Sequence, residues 1–144
     1  MALSKIWVYA EADEGKVTPT TLEILTKARS LADTVEAVYA GDGSAVAAEL
    51  GEYGATAVHA TGDLSGKLLG VPVAAAIAAA IEGGNAPDAI FFATSYDGRD
   101  VAARLSVALD RTVITNNVDV EVDGDSLVCT EPVFGGTKNV KTKF

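Results

Sequence analysis

Four times along the first 110 residues, a short run rich in β-branched or aromatic residues is followed by a stretch with helical apolar spacing; after that the period drops to two. Lys5–Ala10 is a compact apolar run of strand type. Behind it, Thr18-Pro19 supplies an N-cap and a proline in the first turn, and Leu22, Leu25, Ala28, Leu31 and Ala32 recur at helical spacing. Val35–Ala40 is a second strand, Gly41-Asp42-Gly43 a turn, and Ser44 the cap of a short helix that stops near Gly51 or Gly54. Ala57–Ala60 is a third strand. Pro72 opens a helix with Val73, Ile77 and Ile81 on one face, closed by Gly83-Gly84, and Asp88 leads into the strand Ala89–Ala93. The loop Thr94–Gly98 opens a helix carrying Val101, Leu105, Ala108 and Leu109, with Asp110 near its end.

Strands that alternate with helices need both faces of a sheet covered, so these units predict an α/β sandwich of three layers around a mainly parallel, buried sheet. Beyond them, Val118, Val120 and Val122 alternate with Asp119 and Glu121, and Asp123-Gly124-Asp125 turns the chain into Ser126–Thr130. This predicts an antiparallel C-terminal extension. A chain of 144 residues with 49% hydrophobic and 22% charged residues fits one soluble globular domain.

The net charge of −9 speaks against nucleic acid as a partner, because affinity there rests on neutralising phosphates. Cys129 is the only cysteine, which excludes an intrachain disulfide and a thiolate cluster and points to a small buried hydrophobe on a strand. The longest uncharged stretch, Leu68–Ile81, spans fourteen residues, contains Pro72 and is too short for a bilayer. Ile6–Ala10 is cut off by Glu11 before it can make a signal-peptide core. No membrane insertion and a cytoplasmic location are expected.

In open α/β sheets, ligands bind beyond the carboxyl ends of the strands, so the strand-to-helix loops are the places to look. The first, Glu11-Ala-Asp-Glu-Gly-Lys16, carries three acids and would repel phosphate; no Walker loop, G-x-G-x-x-G or G-x-S-x-G occurs. The loop Thr94–Asp100 combines hydroxyls, a glycine and an arginine at a helix N-terminus, which makes Ser95, Gly98, Arg99 and Asp100 candidates for an anion loop or an interface. Against a ligand, Ser95 or Asp97 can cap the helix, and Arg99 can pair with Asp97, Asp100 or a neighbouring surface. His59 is the only histidine, on the third strand with no local Cys, Asp or Glu cluster. The acids 119, 121, 123 and 125 read as a solvated hairpin rather than a metal ladder, and Trp7, Phe91 and Phe92 as core. The chain thus offers no catalytic, cofactor-binding or metal-ligating constellation.

Taken in order, several segments resemble the N-terminal domain of the electron transfer flavoprotein alpha subunit: Ile6–Glu11 with Gly15-Lys16-Val17 and Thr21-Leu22-Glu23, then Ala48–Ala55, Ala93–Asp100 with Ala103-Arg104-Leu105, and Pro132–Gly136. Two departures stand out: Glu131 where that family usually has an arginine, and Thr137-Lys138 after the glycines. The resemblance implies an adenine nucleotide alpha hydrolase-like fold and a subunit that is an electron carrier rather than an enzyme. Such a carrier takes electrons from acyl-CoA or other flavin dehydrogenases, as in fatty acid β-oxidation, to a quinone reductase or similar acceptor. It also implies that FAD sits on a C-terminal domain of the same subunit, beyond residues 1–144, that AMP belongs to a partner beta subunit in a heterodimer, and that this segment is scaffold, of bacterial cytoplasmic type. The alternative is a stand-alone nucleotide-binding α/β module using the loop 94–100. Finally, the tail Lys138–Phe144 holds three of the eleven bases, alternates like a strand and needs a partner for its edge, an ending expected of roughly the first half of a longer subunit.

Overall fold

A computed structural model describes residues 3–144. Strand β1 (Leu3–Ala10) is followed by a small hairpin, β2 (Ala12–Asp13) and β3 (Lys16–Val17), then by α1 (Pro19–Arg29), β4 (Ala32–Tyr39), α2 (Ala47–Glu52), β5 (Val58–Ala60), α3 (Gly70–Glu82), β6 (Ala89–Phe91) and α4 (Tyr96–Leu109). The parallel sheet has the order β5-β4-β1-β6. Because successive side chains of a strand face opposite ways, β1 feeds two cores. Ile6, Val8 and Ala10 pack with Leu25 and Ala28 of α1 and Leu50 of α2. Trp7 and Tyr9 pack with Val73 and Ile77 of α3 and Val101 and Leu105 of α4. The result is the expected three-layer sandwich.

Local chemistry sets the element ends, and it moves several of them. Thr18 caps α1 by accepting from the Thr21 N–H at 3.3 Å, with Pro19 at the first helical position. The helix ends at Arg29, so Leu31 and Ala32, expected on it, lie beyond; Ala32 already pairs with Leu3 as the start of β4. Both still fill the core beside α1, which is why the apolar spacing carries on past the helix. Ser44 is not the cap of the short helix. Asp42 accepts from the Ser44 N–H at 3.0 Å and caps a single 3-10 turn, Gly43–Ala45, ahead of α2. Helix α3 starts at Gly70 rather than Pro72, since proline is tolerated in a first turn whose N–H groups have no helical acceptor. The acidic first loop folds on itself: Asp13 pairs with Lys16 around Glu14 and Gly15, both at positive φ as a type I′ turn requires.

The C-terminal extension is a three-stranded antiparallel sheet of β7 (Asp119–Asp123), β8 (Ser126–Val133) and β9 (Lys138–Lys143), in that order. Val120 and Val122 pack against the α1 side of the core, and Asp119 meets Lys27 of α1 at 2.7 Å. On β8, Leu127 and Cys129 are buried; burial, and then the Glu131 carboxylate, push the Cys129 thiol up from its usual value. The tail lysines answer the alternating acids: Lys141 reaches Glu121 at 2.6 Å and Lys143 reaches Asp123 at 3.1 Å, across β8. The tail therefore forms β9 with β8 as its neighbour, while its outer edge has no strand partner among the described residues. No helix among them is long and apolar enough to cross a membrane.

Candidate functional site

From β1 the chain proceeds through α1 to β4 and through α2 to β5 on one side, then crosses through α3 to β6 on the other. The carboxyl ends of β1 and β6 therefore flank the point where the winding reverses, the place where an open α/β sheet leaves a crevice for ligands. Here it is a shallow cleft of about 440 Å³, lined by Glu11 and Thr18 from one side and Ala93, Thr94 and Ser95 from the other.

Ser95 has extended backbone angles and caps α4: its Oγ accepts from the Gly98 N–H at 2.9 Å. The same hydroxyl donates to Glu11 Oε1 at 2.6 Å. Glu11 is itself held through its main chain, whose N–H donates to Thr21 Oγ1 at 3.0 Å and whose carbonyl accepts from the Thr18 N–H at 2.9 Å. A carboxylate of the protein thus lies where a phosphate would meet the positive end of α4, linked to it through Ser95, and Asp97 in the first turn adds a second negative charge. Burial, followed by the charges of Glu11, Asp97 and Tyr39, pushes the Tyr9 hydroxyl well above the usual tyrosine range, so it stays neutral.

Of the four candidate residues, the fold brings Ser95 and Gly98 together and sends the other two elsewhere. Gly98 is a glycine for lack of room, because a Cβ there would overlap the Ala93 carbonyl oxygen. Asp100 pairs with Arg104 at 2.8 Å and lies against Gly70 at the start of α3, where a Cβ would strike its carboxylate. Arg99 is exposed and, among the described residues, has no carboxylate within ion-pair distance; the pairings with Asp97 and Asp100 do not form. Beside it Tyr96, a residue the sequence did not single out, is 92% exposed.

His59 is not without a carboxylate partner, contrary to its sequence surroundings. Its Nε2 lies 2.8 Å from Glu36 Oε2, and the Trp7 Nε1–H donates to the same oxygen at 2.7 Å. Lys5 Nζ stands 3.6 Å from Glu36 Oε1, and the Trp7 and His59 rings lie 4.9 Å apart. These residues come from three adjacent strands and share one face because the registers Trp7↔Glu36 and Val38↔His59 align them. Period-two alternation marks Lys5 and Trp7 as neighbours, but only the strand register shows what they meet. Ser95 and His59 bond to different carboxylates and form no nucleophile–base pair. Among the described residues no group of three metal-ligating side chains converges.

Burial acts to raise the Glu36 carboxyl, but hydrogen bonds from His59 and Trp7 and the charge of Lys5 outweigh it and hold the group below its usual value of 4.5. A carboxyl depressed in the folded state stabilises the fold above its unfolded pKa, and that contribution is lost as pH falls through the folded value. Urea midpoints measured from about pH 6 to about pH 3 should fall more steeply for the native chain than for Glu36→Gln. Parallel profiles would remove Glu36 from the acid response.

The chain matches the family model described as electron transfer flavoprotein domain over residues 6–144. It is 32% identical over 140 residues to the electron transfer flavoprotein subunit alpha of Syntrophomonas wolfei, covering 95% of this chain and 44% of that protein. To the protein FixB of Clostridium saccharobutylicum it is 30% identical over 139 residues, covering 91% and 41%. With the electron transfer flavoprotein subunit alpha of Mycobacterium tuberculosis the identity is 28% over 144 residues, covering 98% and 44%. The chain thus spans less than half the length of these curated relatives.

Proposed function

Since the chain belongs to the electron transfer flavoprotein domain family, we propose that it is the scaffold and assembly domain of an alpha subunit, residues 1–144 being the N-terminal part of a longer one. In this reading the subunit is an electron carrier, not an enzyme. It passes electrons from acyl-CoA or other flavin dehydrogenases to a quinone reductase or similar acceptor, in the cytoplasm of a bacterium. FAD is held by the C-terminal domain and AMP by the beta subunit of a heterodimer. The observation that carries it is the Glu11–Ser95 bond at the switch point. FAD and AMP both bring phosphate, and the residues present do not fit a phosphate there: the hydroxyl at the helix terminus is already engaged by the Glu11 carboxylate, whose charge would repel one. The same bond weighs against the stand-alone nucleotide module, so Ser95, Gly98 and Asp100 serve the fold. Arg99 and Tyr96, exposed on the first turn of α4, and the open edge of β9 are left to meet the other domain and subunit.

The purified chain should be colourless, and no thermal shift should appear with millimolar FAD, AMP or ATP. A stoichiometric flavin spectrum would overturn the reading, and a shift with AMP or ATP would restore the nucleotide module. Arg99→Ala should weaken assembly with the beta subunit or the C-terminal domain about tenfold, a loss of ~1.4 kcal/mol, with the melting temperature of the isolated chain unchanged. Unchanged assembly with a lowered melting temperature would instead give Arg99 a role in holding the helix.

A further inference from the structure

Between α4 and β7 the chain passes through residues 110–118 without a helix or strand. Asp110 and Asn116 in this linker have φ of 50° and 57°. Aspartate and asparagine enter that left-handed region at less cost than other residues with a Cβ, so backbone rotation there is easier than in a regular element.

The ties from the extension sheet back to the sandwich are few. From Thr112 onward, no hydrogen bond among the described residues runs to residues 3–110, and the two sheets share no ladder; the one polar link is the Lys27–Asp119 pair at 2.7 Å. Its side chains are 41% and 46% exposed, a setting in which an ion pair adds little. The apolar link is Val120 and Val122, both half-buried against the α1 side. Inside the extension the bonding is dense. Strand β8 is laddered to β7 and to β9, Lys141 and Lys143 reach across it to Glu121 and Asp123, and the Thr142 hydroxyl donates to Glu131 at 2.7 Å. Leu127 and Cys129 stand opposite Val122 and Val120 in the ladder and so share their face; both are buried, yet neither belongs to the two cores of the sandwich. The sheet thus holds together more firmly than it holds to its neighbour, the condition under which a segment moves as a unit.

We propose that the extension sheet is a flap: it leaves the sandwich and returns as one body about the linker 110–118, with the Lys27–Asp119 pair as its latch. The proposal stands on contacts within the chain and does not depend on the electron-carrier reading. Because both partners of the latch are exposed, salt screens it, and the open fraction rises with ionic strength. Opening parts Val120 and Val122 from the α1 side of the core and frees the face that carries Cys129, while the β7-β8-β9 ladder stays intact.

Cys129, the only thiol, is therefore a native probe of the open state. The test labels it in the purified chain with iodoacetamide, a neutral reagent, in low urea, and compares the rate with global unfolding followed by circular dichroism. Labelling should run at least about a hundredfold faster than global unfolding predicts and show less than about half its urea dependence. Lys27→Met should speed labelling about threefold, and about 0.5 M sodium chloride should speed it in the native chain but not in Lys27→Met. Lys141→Met, which breaks a pair inside the sheet, should leave the rate within about 1.5-fold of native. Labelling that follows global unfolding would overturn the flap, since the extension would then come away only when the whole chain unfolds. Equal rates in the native chain and Lys27→Met would remove the latch and with it the proposal. Acceleration by Lys141→Met but not by Lys27→Met would overturn it as well, by showing that β9 peels from β8 while the sheet stays docked.

Discussion

Substituting alanine for Gly98 is expected to lower the stability of the isolated chain by about 2 kcal/mol, read as a urea midpoint, and the melting temperature by about 6 °C. Gly98 lies in α4, where alanine is intrinsically the better residue by ~1 kcal/mol. Its new Cβ would overlap the Ala93 carbonyl and come within 3.0 Å of Ser95 Oγ. The carbonyl belongs to the backbone leaving β6 and cannot swing away as a side-chain tip would, so overpacking costs ~1–3 kcal/mol. Displacing Ser95 also costs the cap, ~1 kcal/mol, and loosens the bond to Glu11. Gly51 in α2 is the control: nothing lies within 4 Å of its Cβ position, so Gly51→Ala should be neutral or stabilising. A loop shaped for a ligand would give another result, with Gly98→Ala leaving stability nearly intact and changing affinity for a phosphate compound. The substitution therefore separates a glycine kept for close packing from one kept for an approaching ligand.

The sandwich and its extension were readable in the sequence because each unit states its period locally. Thr18-Pro19, the Val73-Ile77-Ile81 stripe and the Asp123-Gly124-Asp125 turn depend on residues a few positions apart, and each forms in the structure close to where the pattern puts it. Local pattern misleads where two signals overlap or where a partner is distant in the chain. Leu31 and Ala32 keep the helical spacing because the core of α1 continues under β4. Glu36 and His59 stand 23 residues apart, and Glu11 and Ser95 stand 84 apart. Nothing in either stretch says which strand lies beside which, so the carboxylate that holds the switch point was legible only as a loop hostile to phosphate. The tail shows the same division: its alternation is local and was visible, but the acids that take Lys141 and Lys143 lie two strands away across the sheet.

Trp7→Ala is expected to be the most damaging single substitution on the sheet, costing ~4 kcal/mol for the buried volume and ~1–3 kcal/mol more for the lost charge-assisted hydrogen bond. Domains of this kind hold ~5–15 kcal/mol in all, so the variant should be largely unfolded or lack a sharp melting transition in far-ultraviolet circular dichroism. Trp7 is fully buried between the sheet and α3 and α4, and it is also the donor through which β1 holds Glu36 of β4. Removing it opens a void in one core and at the same time strips a hydrogen bond from a carboxylate whose side chain is only 13% exposed. Trp7→Phe divides the two contributions, since it keeps most of the bulk and deletes only the Nε1–H; it should cost ~1.5–3 kcal/mol and retain a cooperative transition. If Trp7→Phe proves as harmful as Trp7→Ala, the bond to Glu36 rather than packing dominates. If Trp7→Phe is silent, Glu36 keeps its charge through His59 and Lys5 alone, and the acid sensitivity assigned to it should then persist unchanged in that variant.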